Sequence, residues 1–297
     1  MLADIRGEVR FKESLAPHTS LRIGGPAWFY IRAQGMDDVR LALGYAAQER
    51  LPLFVLGGGN NILVADKGVE GVVLCLDGEL NRVEFHGTEA VVGAGMELCA
   101  FIREAAARDL GGLDSLVGIP ATIGGALAMN AGSAGGAMAD FVIAVCVMLP
   151  DGTLREVRPG ACPRDTGMIP AGSILVGCRL QLVRQPMHEA CRAIRERIRA
   201  TKHLQPNGLA TTGRVWHDPP LVTARTLIER TALKGKRIGG AEISAKNANY
   251  IVNRCGASAA DVLALMQVTR ERVYVQCGVV LEPAIRLVGA NGNGHGA

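Results

Sequence analysis

No run in the chain approaches the ~18 consecutive apolar residues that a membrane-crossing helix needs. The opening stretch, MLADIRGEVRFKESLAPHTS, also lacks the apolar core of a secretory signal, so a cytoplasmic location is expected. Excess charge of one sign is scarce: 32 Lys and Arg stand against 28 Asp and Glu, a net +4. With no aromatic-rich basic stripe, that surplus argues against nucleic acid as a partner and leaves room for an anionic ligand. The eight cysteines, Cys75, Cys99, Cys146, Cys162, Cys178, Cys191, Cys255 and Cys277, are scattered singly. No CxxC pair occurs, so no zinc, iron–sulfur or other metal site is expected. Most of the cysteines lie in apolar stretches such as VVLCLDG and IAVCVML and read as small core residues. There is no internal repeat.

What is present is a chain of 297 residues, 48% hydrophobic and 20% charged, enough for about two domains of ~100–200 residues each. WFYIRA reads as a strand, MDDVRLALGYAAQER as a helix, and LPLFVLGGG and VEGVVLCL as further strands. They form a strand–helix–strand unit with a glycine loop at a strand end, where open α/β sheets bind ligands. In that loop Gly57, Gly58 and Gly59 carry no Cβ, and Asn60 and Asn61 tolerate left-handed backbone. Two readings stand at this point: a tight turn, or a nest of N–H groups turned towards a phosphate.

AVVGAGMELCAFIREAAARDLGGL reads as a strand followed by a helix that Gly111 and Gly112 end. Residues 117 to 140 hold six glycines and almost no charge, a density that signals close backbone approach. VIAVCVML, TLREV and SILVGCRLQLV are then strands. EACRAIRERIRAT is a basic amphipathic helix, and HLQPNGLATTGRVWHDPP a polar loop region. VTARTLIERTAL and ASAADVLALMQVTRERVYVQCG are helices, with Ser258 able to cap the second and Gly278 to stop it. VVLEPAIRLVG closes as a strand, and NGNGHGA reads as a disordered tail. A composition shift near residues 185 to 190 marks the expected domain boundary.

Six segments carry a resemblance. TSLRIGGPAWF, LGGGNNILVADKGVEGVVL, GIPATIGGALAMNAGSAGG, LIERTALKGKRIGGAEIS, ANYIVN and LEPAIRLVG resemble, in order, the UDP-N-acetylenolpyruvoylglucosamine reductases. These are FAD enzymes of peptidoglycan precursor synthesis. The resemblance runs from about Thr19 to Gly289 and suits the shorter form of the family. It implies an α+β fold: a two-part FAD-binding module of the vanillyl-alcohol-oxidase (PCMH) type over 1–187, with subdomains of about 1–76 and 77–187. A smaller α+β substrate-binding domain over 188–290 and the tail 291–297 follow.

By this resemblance Gly57, Gly58, Gly59, Asn60 and Asn61 wrap the pyrophosphate of noncovalent FAD, and Ile119, Pro120, Ala121, Gly124 and Gly125 pass close to the flavin. NADPH is the implied hydride source, a UDP-sugar the implied substrate, and a monomer the implied state. Asn130, Lys202, His217 and Asn249 match substrate-binding positions. Arg164 and Glu282 match the catalytic arginine and glutamate; Glu282 falls in an apolar strand, where an unpartnered carboxylate is costly to bury. The chain departs from the family at the proton donor, usually a serine or cysteine after a glycine. Here TTGRVWHDPP places Arg214 there, and arginine stays protonated far above neutrality. His217 and Asp218 replace the usual lysine and asparagine, Pro163 a tyrosine, and Asn247 a histidine. Either another donor, such as Thr212, His217 or a water, serves a working reductase, or the protein is a flavoprotein of this fold turned to another substrate or to binding alone.

Overall fold

The computed structural model describes residues 2–133, 135–158, 170–202, 205–206 and 208–289. The N-terminal sheet is built around Val69–Leu76, whose near-continuous apolar run suits a strand covered on both faces. Pro26–Ala33 and Leu53–Val55 pair with it in parallel, and Glu8–Ser14 adds an antiparallel edge. Helix Met36–Gln48 makes the crossover and packs Val39, Ala42 and Leu43 on Ile31, Val72 and Leu74. Met148, Ile174 and Val176 of the next sheet enter the same core. Tyr30, Leu56 and Val73 fill the opposite face.

The second sheet is antiparallel, in the order Leu154–Val157, Val142–Met148, Ile174–Gln181, Glu89–Gly93, Val83–His86. Leu98, Phe101, Ile123 and Leu127, from two short helices, pack with Val92, Val145 and Leu180 from this sheet. Full burial of each such side chain contributes about 1.5–3 kcal/mol. The helix Leu98–Ala106 ends well before Gly111. Asp109 takes a left-handed conformation (φ 56°) and accepts the Met187 N–H, and Gly111 joins a two-residue strand against Val183. The glycine pair therefore serves strand pairing rather than a helix cap.

The third sheet runs Ala210–Thr211, Ile251–Asn253, Ala241–Ile243, Arg237–Ile238. Its helices Ala224–Arg230 and Ala259–Cys277 bury Leu227, Ile228, Val262 and Leu265 with Trp216 and Leu281. Leu21, Ile23 and Leu63 from the N-terminal region join this core. Ser258 and Asp261 form a capping box on the long helix, and Gly278 ends it at φ 68°. Asp66, far off in sequence, accepts the N–H groups of Ala259 (2.7 Å) and Ala260 (3.1 Å). The chain then returns: Arg286–Val288 pairs in parallel with Ile62–Val64, just beyond the glycine loop. This long-range pairing positions the site.

The thiols of Cys75, Cys146 and Cys178 are pushed up by burial, that of Cys75 to about 11, which makes them poor nucleophiles. Cys255 is exposed, so the core reading does not extend to it. Among the described residues no helix is long and apolar enough to cross a membrane, and no cluster of three His, Cys, Asp or Glu could hold a metal.

Candidate active site

The glycine loop is held by its carbonyls. Ser20 donates its N–H to Gly59 O (3.0 Å), Gly213 to Asn60 O (2.8 Å) and Arg286 to Asn61 O (2.9 Å). The Asn60 amide closes back on Gly58 O (2.8 Å). Gly59, at φ 65°, has no room for a side chain: a Cβ would lie 2.1 Å from His18 O. The N–H groups of Gly57, Gly58, Gly59, Asn60 and Asn61, by contrast, find no acceptor among the described residues. Unmatched backbone donors are costly unless a ligand or water satisfies them. Five in succession are available to a bound anion.

The second glycine segment faces the first. Thr122 caps the short helix Ile123–Ala128 by accepting the Gly125 N–H (3.1 Å). A Cβ at Gly57 would stand 2.7 Å from Thr122 Oγ1, and one at Gly58 would stand 3.9 Å from Ala121 Cα. Ile119 is half-buried, Pro120 exposed, and Ala121 and Gly125 half-buried. Gly124 packs on Ala94, where a Cβ would meet Ala94 O at 3.1 Å, so its smallness serves strand–helix packing.

The donor segment lies one strand away. Thr212 N–H bonds to Ile251 O (3.1 Å), yet Val215 N–H bonds to Asn249 O (3.0 Å). A regular antiparallel ladder would reach Asn249 from position 214. One extra residue is present, so Gly213 and Arg214 together oppose Tyr250 in a bulge. On its other edge the strand meets the segment of Glu282: His217 N–H donates to Glu282 O (2.9 Å), and Trp216 bridges Pro283. Asn61 Nδ2 donates to Ala284 O (2.8 Å), which ties this segment to the glycine loop. Loop, bulge and Glu282 segment thus form one backbone-knit unit.

The side chains correct several expectations. Glu282 is exposed and lies outside any strand, because the final strand begins only at Arg286. Arg214 is exposed and pairs with Asp218 (3.5 Å), whose other oxygen accepts the Ala224 N–H. Thr212 is buried, and its Oγ1 takes the Ile251 N–H (3.2 Å), while Thr211 Oγ1 donates to Ile251 O (2.9 Å). Both hydroxyls brace the sheet, which removes Thr212 as a free donor. Asn249 is buried with its amide closed on both backbone groups of Trp216 (2.9 and 3.0 Å), so it braces the strand that carries Arg214. Asn130 sits at φ 43° and accepts the Ala139 N–H (3.0 Å). His217 is exposed. Lys202 ends the helix Met187–Lys202, its side chain outside the described residues. Arg164 and the tail 291–297 also lie outside them.

Two contributors escaped the sequence reading. Ser20 Oγ donates to Thr211 O (2.9 Å), joining the glycine loop to the donor strand. Tyr250 faces the bulge; burial pushes its phenol up, and the Arg214 guanidinium opposes that rise. Position 20 gave only the signal of a small hydroxyl in TSLRIGG, and Tyr250 only its place in ANYIVN.

Known proteins match this arrangement. Residues 28–158 match the FAD binding domain family, and residues 205–288 match the UDP-N-acetylenolpyruvoylglucosamine reductase C-terminal domain. UDP-N-acetylenolpyruvoylglucosamine reductase 2 of Symbiobacterium thermophilum is 37% identical over 96% of this chain and 94% of its own. The chain belongs to the UDP-N-acetylenolpyruvoylglucosamine reductase family. The reductase of Geobacter metallireducens is 37% identical over 97% of this chain and 96% of its own. The crystal structure of the Thermus caldophilus reductase superposes with a TM-score of 0.80 at 36% identity, covering 96% of this chain and 99% of that one. The α+β fold and the flavin-binding module of the N-terminal half accord with the expectation.

Proposed function

We propose that this chain reduces the enolpyruvyl double bond of UDP-N-acetylglucosamine enolpyruvate, giving UDP-N-acetylmuramate for peptidoglycan precursors in the cytoplasm. The observation that carries the reading is the run of five N–H groups without a described acceptor, tied by Asn60 to Gly213 of the bulged strand and by Asn61 to Ala284, two residues after Glu282. Family membership supports it. The residues present fit FAD: backbone donors hold a diphosphate without a lysine, and glycines at 57 and 58 leave the approach open. No His or Cys lies in the loop, which suits noncovalent binding. When bound, the flavin carries hydride from NADPH to the substrate.

The chain's own groups do the rest. Gly57 to Asn61 hold the pyrophosphate. Arg164 pairs its fork with the substrate carboxylate, where negative charge grows as hydride adds. Glu282 stands beside the donor strand to orient the substrate's reacting end. The protein works as a monomer, without nucleic acid or membrane. The test is the absorbance spectrum of the purified protein: a flavin band is expected, bleached by NADPH under anaerobic conditions and restored by the enolpyruvyl substrate. A colourless protein, or a band that NADPH does not bleach, overturns the reading.

A further inference from the structure

The proton needed by the substrate lacks an evident source at Arg214, and the geometry narrows the alternatives. Thr211 and Thr212 spend their hydroxyls on Ile251. Arg214 holds its proton too tightly. His217 is anchored only through its backbone, and nothing in the described residues orients its ring. Tyr250 differs from all of these. It stands opposite the bulge that aims Gly213 and Arg214, and that bulge abuts the glycine loop through the Gly213–Asn60 bond. It is half-buried but belongs to none of the four hydrophobic clusters. Its hydroxyl makes no hydrogen bond to any described residue, although a half-buried tyrosine usually finds a partner.

We infer that Tyr250 is the proton donor of this chain, its phenol Oη–H supplying the proton that a serine or cysteine supplies in relatives, with Arg214 beside it to stabilise the phenolate left behind. This rests on the reductase reading above. In the step, hydride adds to the terminal carbon of the enolpyruvyl group. The C=C π pair moves to the carbon bearing the carboxylate. That pair takes the proton from Tyr250 Oη, the O–H bond breaks, and water reprotonates the phenolate. The substrate is reduced and the hydride donor oxidised, with no other reactant. A phenol is a far stronger acid than the alcohol it replaces and is an accepted general acid. Arg214, a poor acid, is well suited to hold a neighbouring anion. The charged and titratable groups around Tyr250 are Arg214, His217, Asp218 and Glu282 on the neighbouring segments, Lys246 on the turn before it, Arg254 at the end of its strand, and Glu242 with Arg237 on the strands beyond.

The test uses the FAD-loaded protein and its Tyr250→Phe variant, which removes one oxygen and should fold as the parent does. Stopped-flow absorbance should show unchanged bleaching by NADPH and reoxidation by the enolpyruvyl substrate slowed 100-fold or more. Adding Arg214→Ser to Tyr250→Phe places a hydroxyl at the family's donor position and should restore at least tenfold. Independently of turnover, ultraviolet difference titration of the native protein should contain one tyrosinate step that Tyr250→Phe abolishes and Arg214→Ala moves to higher pH. Reoxidation of Tyr250→Phe at the native rate, or equal slowing of both half-reactions, would overturn the inference while leaving the reductase reading in place. A native protein that NADPH bleaches and the enolpyruvyl substrate fails to reoxidise refutes both.

Discussion

At the glycine loop the groups left without a described acceptor are five backbone N–H donors; one strand away, around Arg214, the exposed groups are side chains. The first surface survives most substitutions, because it needs only backbone geometry and the absence of Cβ at a few positions. The second depends on what each side chain can donate or accept. If the proposed roles hold, a backbone surface can keep binding its ligand while the neighbouring side-chain surface changes. Asn249 and Thr212, both spent on bracing the donor strand, hold that strand's position while Arg214 changes its chemistry.

The largest expected effect is at the loop. Gly58 is not at positive φ, and its missing Cβ would meet only the end of the Asn60 side chain (2.6 Å) before any backbone. Gly58→Val should therefore keep the fold, by circular dichroism, and lose flavin altogether. Gly59→Val, aimed at His18 O, should lose the fold as well. Full flavin occupancy in Gly58→Val would break the backbone account of this surface.

Next in size is Glu282→Gln. The carboxyl is exposed, so stability should hardly change. Reoxidation by the enolpyruvyl substrate should slow about 10²-fold, the scale of a misplaced reacting group, and reduction by NADPH should be unaltered. Equal slowing of both steps in stopped-flow would show that Glu282 acts on the structure and that the two surfaces are not separable.

The contrast also decides how much was legible. The loop, the Thr122 and Ser258 caps and the strand VEGVVLCL could be read because glycine, hydroxyl and apolar patterns act locally. The bulge could not: it arises from a one-residue mismatch between residues 210–216 and 249–253, visible only once the two strands are paired. Glu282 was misplaced for the same reason. The run VVLEPAIRLVG looks like one strand, but only Arg286–Val288 forms one, with a partner more than 200 residues upstream, while Pro283 makes a single bridge to Trp216. Asp109 overrode the expected glycine cap through a contact to Met187 that lies in another element.

A smaller effect concerns the substrate side as a folded unit. Glu242 is buried between Arg237 (2.5 Å) and Arg254 (3.1 and 2.9 Å). Chiefly the Arg254 hydrogen bonds, with Arg237 beside them, hold its carboxyl below the usual carboxylate range. A lowered folded value means the contribution is complete above the unfolded value of about 4.3 and fades as pH falls through the folded one. Glu242→Gln should cost about 2 kcal/mol at neutral pH, less than a fully buried pair because both arginines keep contact with water. It should also flatten the loss of stability below pH ~4, read from denaturant midpoints.

The smallest effect falls on the contact that joins the two surfaces. Asp66 follows the glycine loop by a few residues, yet its carboxylate accepts the first two free N–H groups of the helix Ala259–Cys277. Ser258 and Asp261 already satisfy the neighbouring donors, so loss of Asp66 leaves only those two N–H groups without protein acceptors, and they lie near water. Asp66→Ala should cost about 1 kcal/mol, the usual worth of a helix cap with a favourable dipole. Flavin content and both half-reactions should be unchanged, because Asp66 touches neither the loop's free donors nor the bulge. If reoxidation alone slowed, the cap would be setting the distance between the cofactor surface and the donor strand. The two surfaces would then have to be treated as one preorganised site, with the long helix as the lever between them.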